Sequence, residues 1–204
     1  MSSDKRYVIA KVPPGEGLAL DLGGGRGELR RPLERLGYRY VNVDLAPGAG
    51  RDAVVGDAHG LPFGSDMFDI VISSDSLEHF TQPIVALSEA RRVLKPNGSL
   101  IVWVPFMHPF HGNDYYRYTP LGLRYVLREA ELELVSLEAP LWVFSVVAQA
   151  LVVLLRSLGL GSMERPIERA AASLDGRLRR VRSRDASFAA AYLVVARRRS
   201  PKGP

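Results

Sequence analysis

Short apolar runs alternate with amphipathic stretches along the first half of the chain. Five runs are rich in branched, leucine or tyrosine side chains and predict β-strands: residues 18–22, 40–44, 52–55, 69–73 and 99–104. Helices are predicted between them, one at 29–36 and one that begins at Pro83, a residue that suits a first helical turn. Strands and helices that alternate in this way are typical of a parallel sheet.

The second half of the chain adds a helix and two more strands. Thr119 and Pro120 open a predicted helix at 121–130, whose apolar positions recur at helical spacing. Apolar stretches at 132–137 and 188–196 predict strands six and seven.

Residues 138–187 separate the last two predicted strands and form an insertion. Its first part, 141–155, is apolar and uncharged, but it is shorter than the roughly 20 residues that a membrane-spanning helix needs. An arginine-rich amphipathic helix is predicted to follow. The apolar face of that helix consists of Ile167, Ala171, Leu174, Leu178 and Val181.

Composition limits the class of protein. The 204 residues, 47% hydrophobic and 24% charged, predict a single domain at 1–204 with a full core. The absence of cysteine excludes disulfides and thiolate chemistry, and residues 1–11 lack the apolar core of a signal peptide. We therefore expect a cytoplasmic protein.

Charge gives a weaker indication of a partner. The formal charge of +5 would suit nucleic acid, but much of the basic excess lies at 165–184 and 197–199. No RNA-reading aromatic motif accompanies these arginines. A nucleic-acid partner is therefore not expected.

A glycine-rich loop follows the first predicted strand. Gly23, Gly25 and Gly27 form G-x-G-x-G, whereas the dinucleotide fingerprint needs its third glycine one position later, where Glu28 stands. This spacing argues against NAD or FAD but still favours a nucleotide-like ligand. Asp44 ends the second strand, where a carboxylate can bind a ribose diol.

Further motifs follow in order at 56–63, 68–79 and 92–98. Together with the glycine loop and Val43-Asp44, they resemble class I S-adenosylmethionine-dependent methyltransferases, in the group that includes small-molecule enzymes of ubiquinone biosynthesis. The resemblance covers residues 18–137 and fails in the insertion. It implies a Rossmann-like, doubly wound seven-stranded α/β sheet, mostly parallel with an antiparallel last strand, and S-adenosylmethionine as the cofactor.

The resemblance also assigns cofactor contacts. Gly23, Gly25 and Gly27 would lie against the methionine part, and Asp21 and Ser74 would flank its amine.

The nucleoside contacts come from the next two strands. Asp44, with Leu45 beside it, would bind the ribose hydroxyls, and Asp57 with Ala58 would hold the adenine. Carboxylates suit a diol, an exocyclic amine and an ammonium group.

Methyl transfer from a sulfonium needs alignment, and a base only where the acceptor loses a proton. His79 after strand four and His111 after strand five are the candidate bases, although His79 can instead cap or pack the next helix. Asp75, Glu78 and His79 partly resemble the metal-binding loop of some ubiquinone methyltransferases. Their spacing is loose, and we predict no metal site.

The stretch 105–118 is both aromatic and polar, and it predicts an acceptor pocket. Its candidate substrate-binding residues are His108, Asp114, Tyr115, Tyr116 and Arg117. The alternative is a lid whose aromatic side chains pack on the cofactor.

Three functions are consistent with the sequence. The favoured one is O-methylation of a small molecule or of a glycan or lipid precursor. A nucleic-acid methyltransferase is disfavoured because Ser73-Ser74-Asp75-Ser76 replaces the Asn/Asp-Pro-Pro-aromatic signature used for base amines. A cofactor-binding protein without catalysis is the third.

The insertion has two interpretations. In the first, 141–155 forms a buried or dimer-forming helix over the acceptor pocket, braced by the arginine-rich helix. In the second, both segments dock on an anionic membrane surface, which would place the protein at the inner face of a membrane.

Overall fold

The computed structural model of the protein describes residues 3–46, 53–160, 163–181 and 188–199. The strands are β1 (Leu18–Leu22), β2 (Arg39–Asp44), β3 (Ala53–Val55), β4 (Phe68–Ser74), β5 (Leu94–Pro105), β6 (Leu132–Glu138) and β7 (Ala191–Arg198). The helices are α1 (Ser3–Ile9), α2 (Arg30–Arg35), α3 (Pro83–Val93), α4 (Pro120–Glu129), α5 (Val143–Ser157) and α6 (Glu164–Val181), with a 3-10 turn at Leu77–His79.

The strands form one seven-stranded sheet in the order β3-β2-β1-β4-β5-β7-β6. The first five strands are parallel, with Leu20 of β1 opposite both Val41 and Val71. β7 runs antiparallel between β5 and β6. The predicted Rossmann-like, doubly wound sheet with an antiparallel last strand is confirmed. Its strand order reverses between β1 and β4, where ligands bind in such folds.

Alternate residues of each strand are buried on opposite faces of the sheet. On β1, Leu20 and Leu22 join the core on one face, while Ala19 joins the core on the other. This division follows from the period of two along a strand. Helices α3 and α4 cover the first face, and α1, α2 and part of the insertion cover the second.

Two strands begin more than one residue away from their predicted positions. β5 begins at Leu94 rather than at residue 99, because residues 95–98 form a register shift within the strand. Asn97 takes the left-handed conformation there, with φ of 65°, which asparagine tolerates. β7 begins at Ala191 rather than at residue 188. Helix α1 has no counterpart in the prediction, and its Tyr7 stacks on Trp103 of β5 at 5.7 Å.

The insertion consists of α5 and α6, which pack against each other. The buried face of α5 is narrow and comprises Ser145, Ala148 and Val152. The opposite face remains exposed, with Val147 at 62% and Leu154 at 54%. The apolar run is therefore only partly buried. Along the described residues, no helix is both long and apolar enough to cross a bilayer.

On α6, the predicted apolar face is not the buried face. Ala171 is buried, but Leu174 and Leu178 are 42% and 38% exposed. The buried centre is instead Asp175, which has no exposed surface. The predicted position of the Val181 side chain lies outside the described residues.

Candidate active site

The glycine loop is held against the end of β2 by backbone contacts. Gly23 N donates to Val43 O at 2.8 Å, and Gly25 N donates to Asp44 Oδ2 at 2.9 Å. Gly23, Gly25 and Gly27 have φ of 73°, 50° and 72°, a left-handed region that disfavours side chains. A Cβ at Gly25 would meet no atom within 4 Å, so the loop leaves open space at that point.

Asp21 lies beneath this loop rather than facing solvent. Its side chain is almost fully buried and accepts a hydrogen bond from the Tyr40 hydroxyl at 2.8 Å. Burial raises the pKa of Asp21 to about 6, although the Tyr40 hydrogen bond opposes this change. A Cβ at Gly24 would lie 2.4 Å from Asp21 Cγ, so the loop requires glycine at that position.

A cavity of about 590 Å³, here the cofactor cavity, opens beside the glycine loop. Its size suits a nucleoside-sized ligand. Five of the cofactor-binding residues expected from the sequence line it: Gly23, Asp44, Leu45, Asp57 and Ala58. The other four are not among the lining residues: Asp21, Gly25, Gly27 and Ser74.

The carboxylates at this cavity are already held in place. Asp44 accepts from Gly25 N through Oδ2 and from Ala46 N through Oδ1. Asp57 accepts from the backbone and the ring of His59, and these bonds lower the pKa of Asp57. Both side chains are therefore held in place at the rim of the cavity. Each oxygen of Asp44 keeps a lone pair for a ligand, and Asp57 keeps those of Oδ2.

A second cavity of about 850 Å³, here the insertion cavity, lies between the sheet and the insertion. Its walls carry Arg165 and Arg169 of α6, Gln149 of α5 and Trp103 of β5. Asp75 lines both this cavity and the cofactor cavity. The two spaces therefore meet at Asp75, directly after β4.

Asp75 has an unusual backbone and environment. Its φ is 53°, uncommon for a residue with a side chain. Burial raises the pKa of Asp75 to about 7, and the neighbouring Asp4 carboxylate adds to the rise. Ser74 Oγ donates to Asp75 at 3.4 Å, which opposes this rise and places Ser74 beside the junction.

Four titratable side chains gather next to the cofactor cavity: Glu78, His79, His111 and Asp114. Glu78 is fully buried, and burial raises its pKa to about 8. Burial lowers the pKa of His111, although Asp114 opposes this change. The pKa of Asp114 is low despite burial, because His111 N and Arg117 both donate to it. His79 lines the cofactor cavity.

The stretch 105–118 divides between the two cavities. His108 lines the insertion cavity, whereas Tyr115 lines the cofactor cavity. Tyr116 donates to Thr81 O at 3.1 Å, and Arg117 pairs with Asp114 at 2.5 Å. Among the residues expected to bind the acceptor, His108 is therefore the one at the larger cavity.

Residues 20–102 match the model of a family described as a methyltransferase domain. That range contains the glycine loop, Asp44, Asp57 and the Glu78-His79 pair. Residues 20–102 thus carry a methyltransferase domain.

Relatives of the methyltransferase domain include enzymes of quinone biosynthesis. A demethylmenaquinone methyltransferase of Renibacterium salmoninarum is 35% identical over 119 residues, 53% of this chain and 49% of that protein. A ubiquinone biosynthesis O-methyltransferase of Cereibacter sphaeroides is 33% identical over 102 residues, 43% of this chain and 41% of that protein. The chain thus spans about half the length of the curated relatives that it matches.

Solved structures share the fold of the methyltransferase domain across nearly the whole chain. A putative methyltransferase of Bacillus halodurans, 18% identical, gives a TM-score of 0.65 and covers 98% of this chain and 100% of that one. The 1,6-didemethyltoxoflavin-N1-methyltransferase of Burkholderia thailandensis, 17% identical, gives 0.63 and covers 97% and 79%. At these identities the likeness establishes the fold.

Three features of the candidate site and its surroundings were not predicted from the sequence. Asp75 was considered only as part of a metal loop, yet it stands where the cavities meet. Asp175 was overlooked in the arginine-rich helix, although an acid among apolar i, i+4 positions is a signal for a buried polar contact. The pairing of His79 with His111 had no sequence signal, because 31 residues separate them.

Proposed function

We propose that this protein transfers a methyl group from S-adenosylmethionine to an oxygen atom of a small polar acceptor. The observation that carries this proposal is the position of Asp75, which lines both the cofactor cavity and the insertion cavity. Two ligands that occupy these spaces would meet at one point, as in-line transfer requires.

The residues present fit the cofactor. Asp44 would hold the ribose hydroxyls, Asp57 and Ala58 would hold the adenine, and Leu45 lines the cavity beside them. Gly23 would lie against the methionine part, because it lines the cofactor cavity. When bound, S-adenosylmethionine would supply an electrophilic methyl carbon on a sulfonium, with a neutral thioether as the leaving group.

Asp21, Ser74 and the rest of the loop support the site from below. Gly25 and Gly27 give the loop its left-handed turns, and Asp21 provides negative charge under the methionyl ammonium. Ser74 fixes Asp75 through its hydroxyl. These residues thus shape the site from behind the cavity wall.

The lining of the insertion cavity favours a polar acceptor. Arg6, Arg165 and Arg169 provide donors, and Asp4 and Glu168 provide acceptors. Such a mixed set suits a molecule with several hydroxyls, so a sugar or the headgroup of a glycan or lipid precursor is the acceptor class that we propose. His108 lines the same cavity, whereas Tyr115 lines the cofactor cavity.

His79 and His111 are the groups that we assign to the acceptor proton. Both lie beside the cofactor cavity, with their ring centroids 5.1 Å apart. A general base that removes the acceptor proton typically raises the rate about a hundred- to ten-thousand-fold. His79→Ala and His111→Ala should therefore lose turnover while the cofactor affinity persists. If both variants keep the wild-type rate, the reaction depends on alignment alone.

The outer face of α5 supports a further partner, an anionic membrane surface. Val147, Leu151, Leu154 and Leu158 recur at helical spacing and are all exposed. The sequence at 163–187 adds seven arginines against four acidic residues. Exposed apolar side chains beside an excess of arginine suit anionic lipids, and such docking would bring the insertion cavity to a lipid-linked acceptor.

A transfer assay tests the methyltransferase proposal. Labelled cofactor is incubated with sugars, quinols, lipid-linked precursors and nucleic acids, and the products are identified by mass spectrometry. Arg169→Gln should raise KM for the acceptor without changing the Kd of the cofactor. Arg177→Gln, on the same helix but outside the cavity lining, is the matched control. Absence of cofactor binding at millimolar concentration, or transfer to nucleic acid alone, would overturn the proposal.

A further inference from the structure

The imidazole of His59 joins two walls of the cofactor cavity. His59 lies in the turn after β3 and lines this cavity. Its Nδ1 lies 2.6 Å from Asp57 Oδ1, and its Nε2 accepts a hydrogen bond from Gln82 N at 3.2 Å. Gln82 is the residue immediately before α3. One side chain therefore links the turn that carries Asp57 to the start of that helix.

The bond to Gln82 determines which nitrogen of His59 carries the proton. A backbone N–H can only donate, so Nε2 must be the acceptor nitrogen of a neutral ring. In a neutral imidazole the other nitrogen carries the proton. Nδ1–H therefore donates to Asp57 Oδ1, and this bond is short, as expected for a charged acceptor.

Asp57 uses one oxygen for this contact and leaves the other for a ligand. Oδ1 also accepts from His59 N at 2.9 Å, so both of its lone pairs are used. Oδ2 accepts no hydrogen bond from the described residues. The Asp57 side chain is 56% exposed, so packing does little to restrict its rotamer. The bonds from His59 thus fix the direction in which Oδ2 points.

The contacts of His59 also hold the cavity wall opposite Asp57. The ring of Phe80 meets the imidazole edge to face, with centroids 5.9 Å apart. Phe80 and Thr81 line the cofactor cavity, and the bond to Gln82 N restrains the segment that carries them. An aromatic ring near an oriented carboxylate suits a flat base with an exocyclic amine.

We propose that His59 is a positioning residue, which orients Asp57 to accept a hydrogen bond from the exocyclic amine of the cofactor's adenine. This inference rests on the proposed function, which places adenine beside Asp57 and Ala58. His59 acts through the carboxylate and not on the reacting atoms. It would favour adenine over a purine that lacks the amine, because only the amine can donate to Oδ2.

Two ligands test this role: S-adenosylhomocysteine, and its analogue in which hydrogen replaces the exocyclic amine. Calorimetry with the full chain gives the Kd of each compound without any assay of turnover. The wild type should prefer the adenine compound about 10- to 150-fold, the range for a hydrogen bond to a charged group. Asp57→Ala should bring this ratio close to one.

His59→Ala should lower the ratio about 2- to 12-fold, because the freed Asp57 side chain must be immobilised when it binds the amine. The Kd of the analogue should stay the same, since the analogue has no amine for Asp57 to accept. His59→Asn should restore the ratio, because the asparagine amide can donate to Asp57 Oδ1 in place of Nδ1.

Gln82→Ala is the matched control. It keeps the backbone N–H that His59 accepts and removes only an exposed side chain, which makes no capping hydrogen bond. It should bind both compounds as the wild type does. Thermal unfolding of each variant checks that the fold persists, and NMR of the imidazole nitrogens at mildly alkaline pH should find the proton of His59 on Nδ1.

Three results would overturn the inference. They are a wild-type ratio in His59→Ala, an equal loss of affinity for the two compounds in that variant, and a proton on Nε2 of His59 in the wild type. A wild type that binds neither compound would overturn the proposed function, and this role with it.

Discussion

The carboxylate of Asp175 on α6 lies 2.6 Å from the hydroxyl of Ser145 on α5. The same carboxylate accepts backbone N–H groups from Trp142, Phe144 and Ser145 at 2.8–3.0 Å. Asp175 thus provides the N-terminal cap of α5 from a different helix, where negative charge also favours the helix dipole. One side chain thereby joins the two helices that wall the insertion cavity.

Asp175→Ala should loosen the insertion while the sheet persists. The change leaves three backbone N–H groups without their acceptor, a cost of about 2–3 kcal/mol. Amide hydrogen exchange in α5 should therefore accelerate roughly 30- to 150-fold. Ser173→Ala, at an exposed position on the same helix, is the control. Equal protection of α5 in the two variants would contradict this role of Asp175.

Asp44→Ala should weaken binding of the cofactor. Asp44 is expected to bind the ribose diol, and loss of charged hydrogen bonds costs about 1.5–3 kcal/mol, which corresponds to about 10- to 150-fold in Kd. Isothermal calorimetry with the demethylated cofactor measures this change. Glu129→Ala, on α4 away from the cavity, should bind as the wild type does. An unchanged Kd in Asp44→Ala would show that the ribose lies elsewhere.

Asp21→Asn should stabilise the protein at neutral pH. The pKa of Asp21 is about 6 in the fold against 3.8 for the free side chain, so the folded state binds more protons between these values. Its contribution to stability is present below pH 3.8 and is lost as the pH rises through 6. The variant should gain about 1–3 kcal/mol at pH 7.5 and little at pH 4.

Urea unfolding of both proteins without cofactor, at the two pH values, checks this expectation. The difference between variant and wild type isolates Asp21 from other titrating groups. We propose that Asp21 places negative charge beneath the methionyl ammonium, so the same substitution should lower cofactor affinity. A gain in stability that does not depend on pH would rule out burial of the charge as its cause.

Sedimentation with lipid vesicles tests the outer face of α5. The protein should pellet with anionic vesicles and less so at high salt, since each basic side chain contributes about 1 kcal/mol near such a surface. The double substitution of Leu151→Gln and Leu154→Gln should abolish pelleting of the protein with anionic vesicles. Leu121→Gln, exposed on α4, is the control. Indifference to vesicles, together with a dimer that the double substitution disrupts, would favour a second copy instead.

Most strands of the sheet could be predicted from the sequence, because the alternation of side chains along a strand and the residue types that form turns are local features. β1 at Leu18–Leu22 and the left-handed turn at Asn97 both form at the positions that their residue types predict. The first residues of β5 were missed because pairing between Leu94 and Phe68 is a tertiary contact. Local patterns therefore predict the strands but only approximate their ends.

The candidate site likewise contains residues that could be predicted from the sequence and residues that could not. Asp44 and Asp57 could be placed because each follows a strand whose carboxyl end faces the ligand. The apolar run of α5 was ambiguous, since periodicity cannot tell a buried face from one that is partly exposed. The cluster around Glu78 depends on the path of the loop that carries His111, which no spacing rule determines.

The late position of β7 in the sequence determines when the sheet can be completed during synthesis on the ribosome. β7 pairs with both β5 and β6, but residues 139–190 must be synthesised after β6 before it emerges. At about 5–20 residues per second this takes several seconds. During that interval β5 lacks one neighbouring strand, and β6 lacks the one strand that it pairs with among the described residues. A nascent chain that stalls there exposes two open strand edges to aggregation.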